Sequence, residues 1–434
     1  MKQSGYEVET SREVTRERAV LVGVIGSTTP EWVVEDHLDE LRALADTAGA
    51  DEVGRVTQRR MKLDPATMIG RGKVNDIKRL LKEKDARLTI FDDDLTPAQV
   101  RNLEKELPGK VMDRSGLILD IFALRARTRE ARVQVELAQL EYYYPRLTRM
   151  WSHLRGSQGG IGFRGPGETQ LEVDRRIVQD RIGKLKKQLE KIARQRDTRR
   201  GARRELPTVA LIGYTNAGKS TLLNALTGRH DAYVEDRLFA TLDPKVRRFE
   251  VTPGHPILAI DTVGFIRKLP HHLVASFRST LEEAREADIL CQVIDLSHPL
   301  FEDHIKQTDG VLKDMGMERE ERLLVFNKID NLENPQVMRR MQEAYPDALF
   351  LSAARGLRVW DLRERLDAEL YQGTGRAHVR LHPDDMAALQ KRFPLLQLQT
   401  KTWKEGAVHT LVSGPKTMLQ QALQELSLEV IPKD

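Results

Sequence analysis

Gly213-Tyr-Thr-Asn-Ala-Gly-Lys-Ser-Thr221 is the stretch on which the fold and the function of this chain depend. An apolar run, residues 208–212, precedes it, and a helix-like run, residues 222–226, follows it. Strand, glycine turn and helix with G-x-x-x-x-G-K-S spacing are typical of a phosphate-binding loop. The glycines let backbone N–H groups curl around phosphate oxygens, and the helix N-terminus adds the positive end of its dipole. We interpret the stretch as a nucleotide site.

Each position of this loop has an expected role. Lys219 reaches the β- and γ-phosphates, and the Ser220 hydroxyl takes one position on Mg²⁺. The alternative, a glycine turn with a stray lysine, arises by chance in on the order of one chain in a hundred of this size. The predicted nucleotide-binding residues of the loop are Gly213, Tyr214, Thr215, Asn216, Ala217, Gly218, Lys219, Ser220 and Thr221.

A D-x-x-G motif, Asp261-Thr-Val-Gly264, ends the apolar run of residues 257–261. Because it lies at the carboxyl end of a predicted strand downstream of the phosphate loop, we expect Asp261 to hold Mg²⁺ through a bound water. The Gly264 N–H is expected to bond the γ-phosphate. Thr262 and Val263, between them, join the predicted nucleotide-binding residues.

The base is predicted from Asn327-Lys-Ile-Asp330, which follows another strand-like run. The Asp330 carboxylate can accept the guanine donors N1–H and N2–H₂ together, a pair that adenine does not offer. Asn327 is expected to brace the loops, and the stem of Lys328 to lie along the base. Asp330 is therefore the predicted guanine selector.

Leu351-Ser-Ala-Ala354 follows the next strand-like run and completes the expected base site. Ser352, Ala353 and Ala354 border the base, and the Ala353 N–H can bond guanine O6. Four elements in this order on strand ends exclude a random N-K-x-D motif. We predict GTP and GDP as ligands, with Mg²⁺.

The polar connection Phe239-Ala-Thr241 is the predicted switch. Thr241 can complete the Mg²⁺ shell when the γ-phosphate is present and leave it after hydrolysis. Thr252 competes for this role, but it lies at a strand end beside Pro253. Ser220 and Thr241 are thus the predicted direct metal ligands, with Asp261 acting through water. Phe239, Ala240 and Thr241 are assigned to the nucleotide site, and Lys219, Thr241 and Gly264 are the candidate catalytic residues.

The position after D-x-x-G departs from the Ras-like GTPases, in which a glutamine there orients the attacking water. Here it is Phe265. A phenylalanine side chain neither donates a hydrogen bond to water nor accepts one. We predict slow unaided hydrolysis and a partner that completes the site.

Four regions are predicted along the 434 residues. Strand and helix patterns alternate over residues 1–120, which favours a small α/β domain. Residues 121–204 carry two heptad seams, which indicate a helical hairpin. One seam consists of Val133, Leu137, Leu140, Tyr144 and Leu147, and the other of Val178, Ile182, Leu185, Leu189 and Ile192. Residues 205–372 predict a P-loop GTPase domain of the α/β class, with a mostly parallel sheet and helices on both faces. Residues 373–434 read as a small α+β domain. Within the first region, Gly70-Arg-Gly-Lys73 is a plain turn by preference, with a second phosphate-binding turn as the alternative.

The expected tip of the hairpin, about residues 155–168, is rich in glycine and arginine. Arg155, Phe163 and Arg164 are candidate RNA contacts, because a basic loop on a stiff stalk suits a phosphate-lined cavity. Residues 171–204 add 13 Lys/Arg against 5 Asp/Glu, although the whole chain carries only +5. A solvated helix face is the alternative for that charge run, and a plain connection is the alternative for the loop.

Composition argues against a disulfide-bonded protein and against a membrane-spanning one. Charged residues make up 31%, and the single cysteine, Cys291, allows no disulfide framework, which suits a reducing cytosol. No apolar run approaches the roughly 20 residues that span a bilayer. We expect a cytoplasmic, monomeric protein that does not bind DNA.

The chain resembles the HflX family of ribosome-associated GTPases over almost all of its length. The most specific stretch is Gly159-Gly-Ile-Gly-Phe-Arg-Gly-Pro-Gly-Glu-Thr-Gln-Leu171 with Asp174-Arg-Arg176. The phosphate loop, Phe239-Ala-Thr-Leu-Asp-Pro244 and Asp261-Thr-Val-Gly-Phe265 also match, as do Ile69–Lys73 and Leu95–Gln99. Lys245-Val246 departs from the two threonines usual there.

The resemblance implies binding to the large ribosomal subunit and the 70S ribosome through rRNA, with GTP hydrolysis stimulated there. It implies splitting of stalled ribosomes under stress, with subunit biogenesis as another task. Two alternatives stay open. One is a GTP-dependent regulator that docks to a non-ribosomal protein; the other is an ATP-dependent RNA-remodelling activity of the first domain.

Overall fold

The computed structural model describes residues 16–147, 170–200, 206–228, 238–239, 241–242, 245–268, 284–317, 322–371, 374–393, 396–404 and 407–431. The chain divides into two compact units. One comprises Met1–Leu124 with Gln139–Val178, and the other comprises Arg125–Ala138 with Gln179–Asp434. No helix in the described ranges is long and apolar enough to cross a membrane.

The first unit is built on a parallel four-stranded sheet. Its strands are β1 (Glu17–Ile25), β2 (Ala50–Arg59), β3 (Leu88–Phe91) and β4 (Lys110–Asp113), and its helices are α1 (Glu31–Ala48), α2 (Arg71–Glu83), α3 (Pro97–Glu106) and α4 (Arg114–Arg125). The strand order is β2-β1-β3-β4. The predicted small α/β fold is confirmed, whereas β4 and α4 were not foreseen.

Local sequence explains where two of these helices begin. Thr96 and Gln99 form a reciprocal capping box at α3: the Gln99 N–H donates to Thr96 Oγ1 at 3.3 Å, and the Thr96 N–H donates to Gln99 Oε1 at 2.9 Å. Gly70 is the residue before α2, and its N–H donates to Gln58 Oε1 at 2.9 Å. The Gly70–Lys73 stretch is therefore the N-cap and the first three residues of α2.

Buried charges hold the carboxyl edge of this sheet. Arg114 is fully buried and pairs with Asp92 at 2.8 Å and with Glu40. Asp113 is also fully buried and accepts from the Tyr142 hydroxyl at 2.6 Å. Burial, together with the Asp113 charge, raises the pKa of Tyr142. Buried charges require such partners because leaving water is costly.

Two helices follow, α5 (Arg129–Tyr143) and α6 (Gln170–Arg200). The predicted seam positions Val133 and Leu137 of α5, and Val178 and Leu185 of α6, are buried. Arg181 of α6 donates through Nε to Glu136 Oε1 of α5 at 2.7 Å. The two helices are therefore joined side by side at this point.

The α5 seam is shorter than predicted. It was expected to continue through Tyr144 to Leu147, but α5 ends at Tyr143 and Tyr144–Arg146 forms a 3₁₀ turn. Pro145 explains the change, because it lacks an N–H for the α-helical bond and its ring clashes with the preceding turn.

The second unit contains a six-stranded sheet, five strands of which are parallel. The strands are β5 (Thr208–Ile212), β6 (Lys245–Glu250), β7 (Pro256–Asp261), β8 (Ile289–Asp295), β9 (Leu323–Asn327) and β10 (Leu349–Phe350); the helices are α7 (Lys219–Thr227), α8 (Phe301–Asp314), α9 (Pro335–Ala344) and α10 (Val359–Tyr371). The strand order is β10-β9-β8-β5-β7-β6, and β6 alone pairs antiparallel. The predicted mostly parallel sheet is confirmed.

Both faces of this sheet are covered by apolar residues. Val209 and Leu211 of β5 belong to one hydrophobic cluster, and the alternating Ala210 and Ile212 belong to another. A strand buried on both faces reads as a continuous apolar run. The carboxyl ends of the central parallel strands thus lie together at one edge, where the candidate site is built.

The chain ends with a second, antiparallel sheet. Its strands are β11 (Thr374–Leu381), β12 (Gln397–Lys404), β13 (Ala407–Pro415) and β14 (Glu429–Val430), with helices α11 (Pro383–Arg392) and α12 (Lys416–Glu425). The strand order is β12-β13-β11-β14. The predicted small α+β fold is found in the described part of this region, and the edge strand β14 is only two residues long.

Candidate guanine-nucleotide site

The phosphate loop connects β5 to α7, and two of its glycines are sterically required. Gly213 has a φ of +140° and Gly218 a φ of +92°. A Cβ at Gly213 would lie 2.2 Å from the Val293 carbonyl oxygen, and one at Gly218 would lie 2.3 Å from Asn327 Nδ2. Neither position accepts a side chain, because both the backbone angle and the space require glycine.

Lys219, the first residue of α7, folds its side chain back over the loop. Its ammonium group is buried and donates to the carbonyl oxygens of Gly213 at 3.0 Å and Tyr214 at 2.7 Å. Burial lowers the pKa of Lys219 to about 8, an effect that the nearby Asp261 charge opposes and Lys328 increases. The ammonium group is thus held by two neutral acceptors that anionic oxygens can replace.

Three side-chain oxygens converge beside this lysine. Ser220 Oγ donates to Asp261 Oδ2 at 2.6 Å, and Thr241 Oγ1 donates to the same oxygen at 3.0 Å. The two hydroxyl oxygens are 3.0 Å apart. Residues from the phosphate loop, the predicted switch and the D-x-x-G motif therefore meet at one point, although they are far apart in sequence.

The other oxygen of the Asp261 carboxylate has different surroundings. Asp261 Oδ1 is buried and has no hydrogen-bond partner among the described residues. Thr252, the competing switch residue, lies elsewhere, with its hydroxyl 2.9 Å from Asp367 Oδ1 and 3.0 Å from His255 Nδ1. The geometry thus favours Thr241 over Thr252.

Main-chain hydrogen bonds join the D-x-x-G segment to the phosphate loop. The Thr215 N–H donates to the Phe265 carbonyl oxygen at 2.6 Å, and the Phe265 N–H donates to the Gly213 carbonyl oxygen at 3.0 Å. A Cβ on Gly264 would lie 2.7 Å from the Thr215 Cα. The two segments approach this closely only because Gly264 has no side chain.

The Phe265 side chain points away from this contact. It is 2% exposed and packs in the cluster formed by Ala210, Ile212, Leu290 and other apolar residues. The position at which Ras-like GTPases carry a glutamine therefore contributes a core side chain here.

Asn327 braces the loops, as the sequence had suggested. Its Nδ2 donates to the Ala217 carbonyl oxygen at 2.9 Å, and its Oδ1 accepts from the Ala353 N–H at 2.9 Å. The Ala353 N–H, expected to bond guanine O6, is engaged here by Asn327. A contact with O6 therefore requires this hydrogen bond to be shared or exchanged.

Two ion pairs border the expected base position. Lys328 Nζ lies 2.7 Å from Asp295 Oδ2, and Arg355 Nε lies 3.8 Å from Asp330 Oδ2. Lys328 adopts a left-handed conformation with a φ of +61°. Neither partner, Asp295 or Arg355, had been singled out from the sequence, since neither belongs to a recognised motif.

The other predicted site residues have the following surroundings. The Phe239 N–H donates to Thr215 Oγ1 at 3.3 Å, and Thr262 Oγ1 donates to the Leu211 carbonyl oxygen at 2.7 Å. Asn216 is exposed, Val263 is buried, and Ser352 Oγ accepts from the Arg355 N–H at 3.1 Å. Thr221 and Ala354 line a cavity beside the loop. Ala240, Arg155, Phe163 and Arg164 lie outside the described residues.

A stack on Tyr214 was not foreseen. Its ring lies 3.7 Å from the His304 ring in α8, nearly parallel at 7°, and its hydroxyl accepts from the Arg267 N–H at 2.8 Å. Burial lowers the pKa of His304 to about 3, and the neighbouring His298 adds to this. Only the main chain of Tyr214 had been assigned a role, since no motif connects it to α8.

Three family models match the chain in sequence order. The model for the N-terminal part of GTP-binding GTPases matches residues 35–123, and that for their middle region matches residues 125–203. The model for a 50S ribosome-binding GTPase matches residues 208–328, which contain the phosphate loop, the D-x-x-G motif and the first two residues of the base motif.

Curated relatives cover most of the chain. GTPase HflX of Caldanaerobacter subterraneus subsp. tengcongensis is 47% identical over 361 residues, which are 83% of this chain and 82% of the relative. GTPase HflX of Escherichia coli strain K12 is 44% identical over 92% of this chain and 94% of the relative. That of Flavobacterium psychrophilum is 50% identical over 72% and 76%. With this identity over this length, the chain belongs to the HflX family of GTPases.

Proposed function

We propose that the protein is a Mg²⁺-dependent GTPase that hydrolyses GTP to GDP and phosphate and acts as a switch on the large ribosomal subunit in the cytoplasm. The observation that supports it most directly is the meeting of Ser220, Thr241 and Asp261 beside Lys219, with oxygen-to-oxygen distances of 2.6 to 3.0 Å. The family membership supports the choice of GTP, and the ribosome-binding family model supports the choice of partner.

The residues present fit a magnesium ion. Mg²⁺ prefers oxygen ligands and is held in such sites by one or two side chains together with substrate phosphates and waters. Ser220 and Thr241 would hold it directly and Asp261 through water, and the buried, partnerless Asp261 Oδ1 among the described residues fits that second role. When bound, the ion neutralises charge on the phosphate oxygens.

The chain's own groups supply the remaining stabilisation. The Lys219 ammonium group exchanges the carbonyl oxygens of Gly213 and Tyr214 for phosphate oxygens, whose negative charge it stabilises as the γ-phosphoryl group leaves. The main-chain N–H of Gly264 is close enough to the loop to join it, because its Cβ position is only 3.0 Å from Lys219 Nζ. Loss of the γ-phosphate releases Thr241, which gives the two states of a switch.

Hydrolysis by the chain alone is proposed to be slow. The Phe265 side chain is buried in the core, so this position places no hydrogen-bonding group on the attacking water. A partner has to orient the water, and the large ribosomal subunit is the proposed partner. Contact with rRNA through Arg155, Phe163 and Arg164 belongs to this proposal, as does a role in splitting stalled ribosomes or in subunit biogenesis.

Base selection by Asp330 can be tested by substitution. The Asp330 carboxylate can accept two hydrogen bonds, whereas the side-chain amide of Asp330→Asn accepts one and donates one. The amide therefore fits xanthine, which has a carbonyl group at C2, better than guanine, which has an amino group there. We expect GTP affinity to fall by on the order of 100-fold and xanthosine triphosphate to become the better ligand. Equal GTP affinity in Asp330→Asn and in the unchanged protein would refute the assignment.

The ribosomal role can be tested by sedimentation. Purified protein is centrifuged with separated small and large subunits, with either a non-hydrolysable GTP analogue or GDP. We expect co-sedimentation with the large subunit only, stronger with the analogue, and a hydrolysis rate that rises when large subunits are added. A rate that does not change with ribosomal subunits would favour a non-ribosomal partner.

A further inference from the structure

A cavity of about 660 Å³ opens between α7 and α10, next to the proposed nucleotide site. We call it the α7–α10 groove. It is defined by Asn224 of α7, Arg355 of the loop before α10, and Trp360 and Arg363 of α10. Its volume falls within the range of small-ligand pockets, about 300 to 1,000 Å³. The groove is therefore large enough for a nucleotide-sized group.

The groove is adjacent to the guanine position without being the same site. Thr221, Ala353 and Ala354 form a wall that the two share, whereas Asp330 and Asn327, which are expected to meet the base and brace it, do not line the groove. Its remaining residues belong to α7, to the loop before α10 and to α10 itself. A ligand in the groove thus need not displace the proposed GTP.

One wall is an exposed aromatic platform that is held in place. Trp360 is 53% exposed, and its Nε1 donates to Glu364 Oε1 at 2.8 Å. The Arg363 guanidinium lies 5.9 Å from the Trp360 ring centroid and donates to the carbonyl oxygen of Leu226, which anchors it to the end of α7. A half-exposed indole whose Nε1 is fixed by a hydrogen bond suits stacking by a planar group.

The charge of the lining selects an anion. Arg355 and Arg363 are its charged residues, and no Asp or Glu is among the described residues that line it. The Arg355 side chain lines the groove and is 74% exposed, with Nε 3.8 Å from Asp330 Oδ2, so its guanidinium is accessible to a phosphate. Arginine forks match phosphate oxygens well.

An aromatic face next to arginines is how proteins bind single-stranded nucleic acid, with bases stacked and the backbone neutralised. We propose that the α7–α10 groove binds a nucleotide of single-stranded RNA, with its base stacked on Trp360 and its phosphate held by Arg355 and Arg363. The choice of RNA as the partner rests on the proposed ribosomal function.

The test uses the full chain and a short, fluorescently labelled oligouridylate, whose bases lack the guanine donor pair that Asp330 is expected to read. Anisotropy titrations give its affinity for the unchanged protein and for Trp360→Ala, Trp360→Phe and Arg355→Gln. Trp403→Ala is the matched control, because Trp403 is 63% exposed in β12 of the separate antiparallel sheet.

We expect Trp360→Ala to weaken binding at least about fivefold, since base–aromatic stacking is lost. Trp360→Phe keeps a ring and should lose less affinity. Arg355→Gln should make the negative slope of log affinity against log salt shallower by about 0.7. Trp403→Ala should bind as the unchanged protein does. Equal affinity of Trp360→Ala and the unchanged protein would overturn the inference, and so would an equal loss in Trp403→Ala.

Binding of a fluorescent GTP analogue is measured on the same samples. If the analogue fails to bind the unchanged protein, the proposed function is wrong, while the oligouridylate result still decides on the groove. If it binds Trp360→Ala normally while oligouridylate affinity falls, the groove is an RNA site separate from the GTP site.

Discussion

The side-chain amide of Asn327 donates a hydrogen bond to the carbonyl oxygen of Ala217, 2.9 Å away. This bond joins the last residue of β9 to the phosphate loop, and the amide oxygen accepts from the Ala353 N–H at the same distance. One buried side chain, 2% exposed, thus holds three segments of the candidate site in register.

Asn327→Ala should therefore loosen the site and destabilise the second unit. Two buried hydrogen bonds are lost and the Ala353 N–H is left without a partner, which amounts to about 2 to 4 kcal/mol in the free energy of unfolding. Urea unfolding measures this, and GTP affinity should fall with it. Gln342→Ala, an exposed amide in α9, is the control and should stay within about 0.5 kcal/mol. A similarly small effect for Asn327→Ala would contradict the bracing role.

Gly218→Ala tests the same contact from the other side. A Cβ at Gly218 would come 2.3 Å from Asn327 Nδ2, and the φ of +92° is unfavourable for alanine. We expect GTP affinity to fall at least about tenfold, with a loss of stability of about 2 kcal/mol. Gly310→Ala in α8 is the matched control: nothing lies within 4 Å of its Cβ position, so alanine should stabilise the helix slightly. Normal GTP binding by Gly218→Ala would show that the loop can adjust.

The segments of this site could be predicted from the sequence, because each carries a short motif at the end of an apolar run. The sequence predicts that Ser220, Thr241 and Asp261 share one metal site, and the structure brings their side-chain oxygens to within 3.0 Å of one another. Metal binding by this group stays a prediction. The phosphate loop after β5 and the end of β7 meet because strand ends of one parallel sheet lie at one edge.

Contacts between residues without a motif could not be predicted. Arg114 is among the most buried side chains of the chain, yet a lone arginine after a short strand is expected at the surface. The Tyr214–His304 stack likewise joins two residues that no sequence period relates. Such pairs depend on how elements pack in three dimensions, about which hydrophobic periodicity carries no information.

Ligand affinity should depend on pH through Lys219. Burial lowers the pKa of its ammonium group to about 8, so the group loses its proton above that pH when no phosphate is present. Bound phosphates favour the charged form, so binding has to include proton uptake there. We expect GDP affinity to be about tenfold weaker near pH 9 than near pH 7, measured by titration calorimetry. An affinity that is constant over this range would contradict the lowered pKa.

The free energy of unfolding should also depend on the titration of Lys219, but it should rise with pH where ligand affinity falls. The unfolded chain keeps the lysine proton up to its ordinary pKa, about 10.4, so it binds more protons than the folded chain between about pH 8 and pH 10. The free energy of unfolding of the ligand-free protein should therefore rise with pH in this window, by at most about 1.4 kcal/mol per unit from this group. Lys219→Met should lack this contribution, and an identical pH dependence in both proteins would contradict it.

Phe265→Gln restores the residue type that orients water in Ras-like GTPases, and we expect it to leave unaided GTP hydrolysis unchanged. The position is 2% exposed and its side chain packs in the hydrophobic cluster with Ala210 and Leu290, pointing away from the phosphate loop to which its main chain is bonded. A glutamine placed there buries an amide in an apolar environment, which should lower the free energy of unfolding by about 2 to 4 kcal/mol.

Phe265→Leu keeps the position apolar and should lose less than about 2 kcal/mol. Single-turnover hydrolysis and urea unfolding of both variants decide the matter. A rise in the unaided rate of Phe265→Gln by tenfold or more would mean that the side chain can leave the core and reach the attacking water, and would contradict the expectation that burial keeps this position out of the reaction.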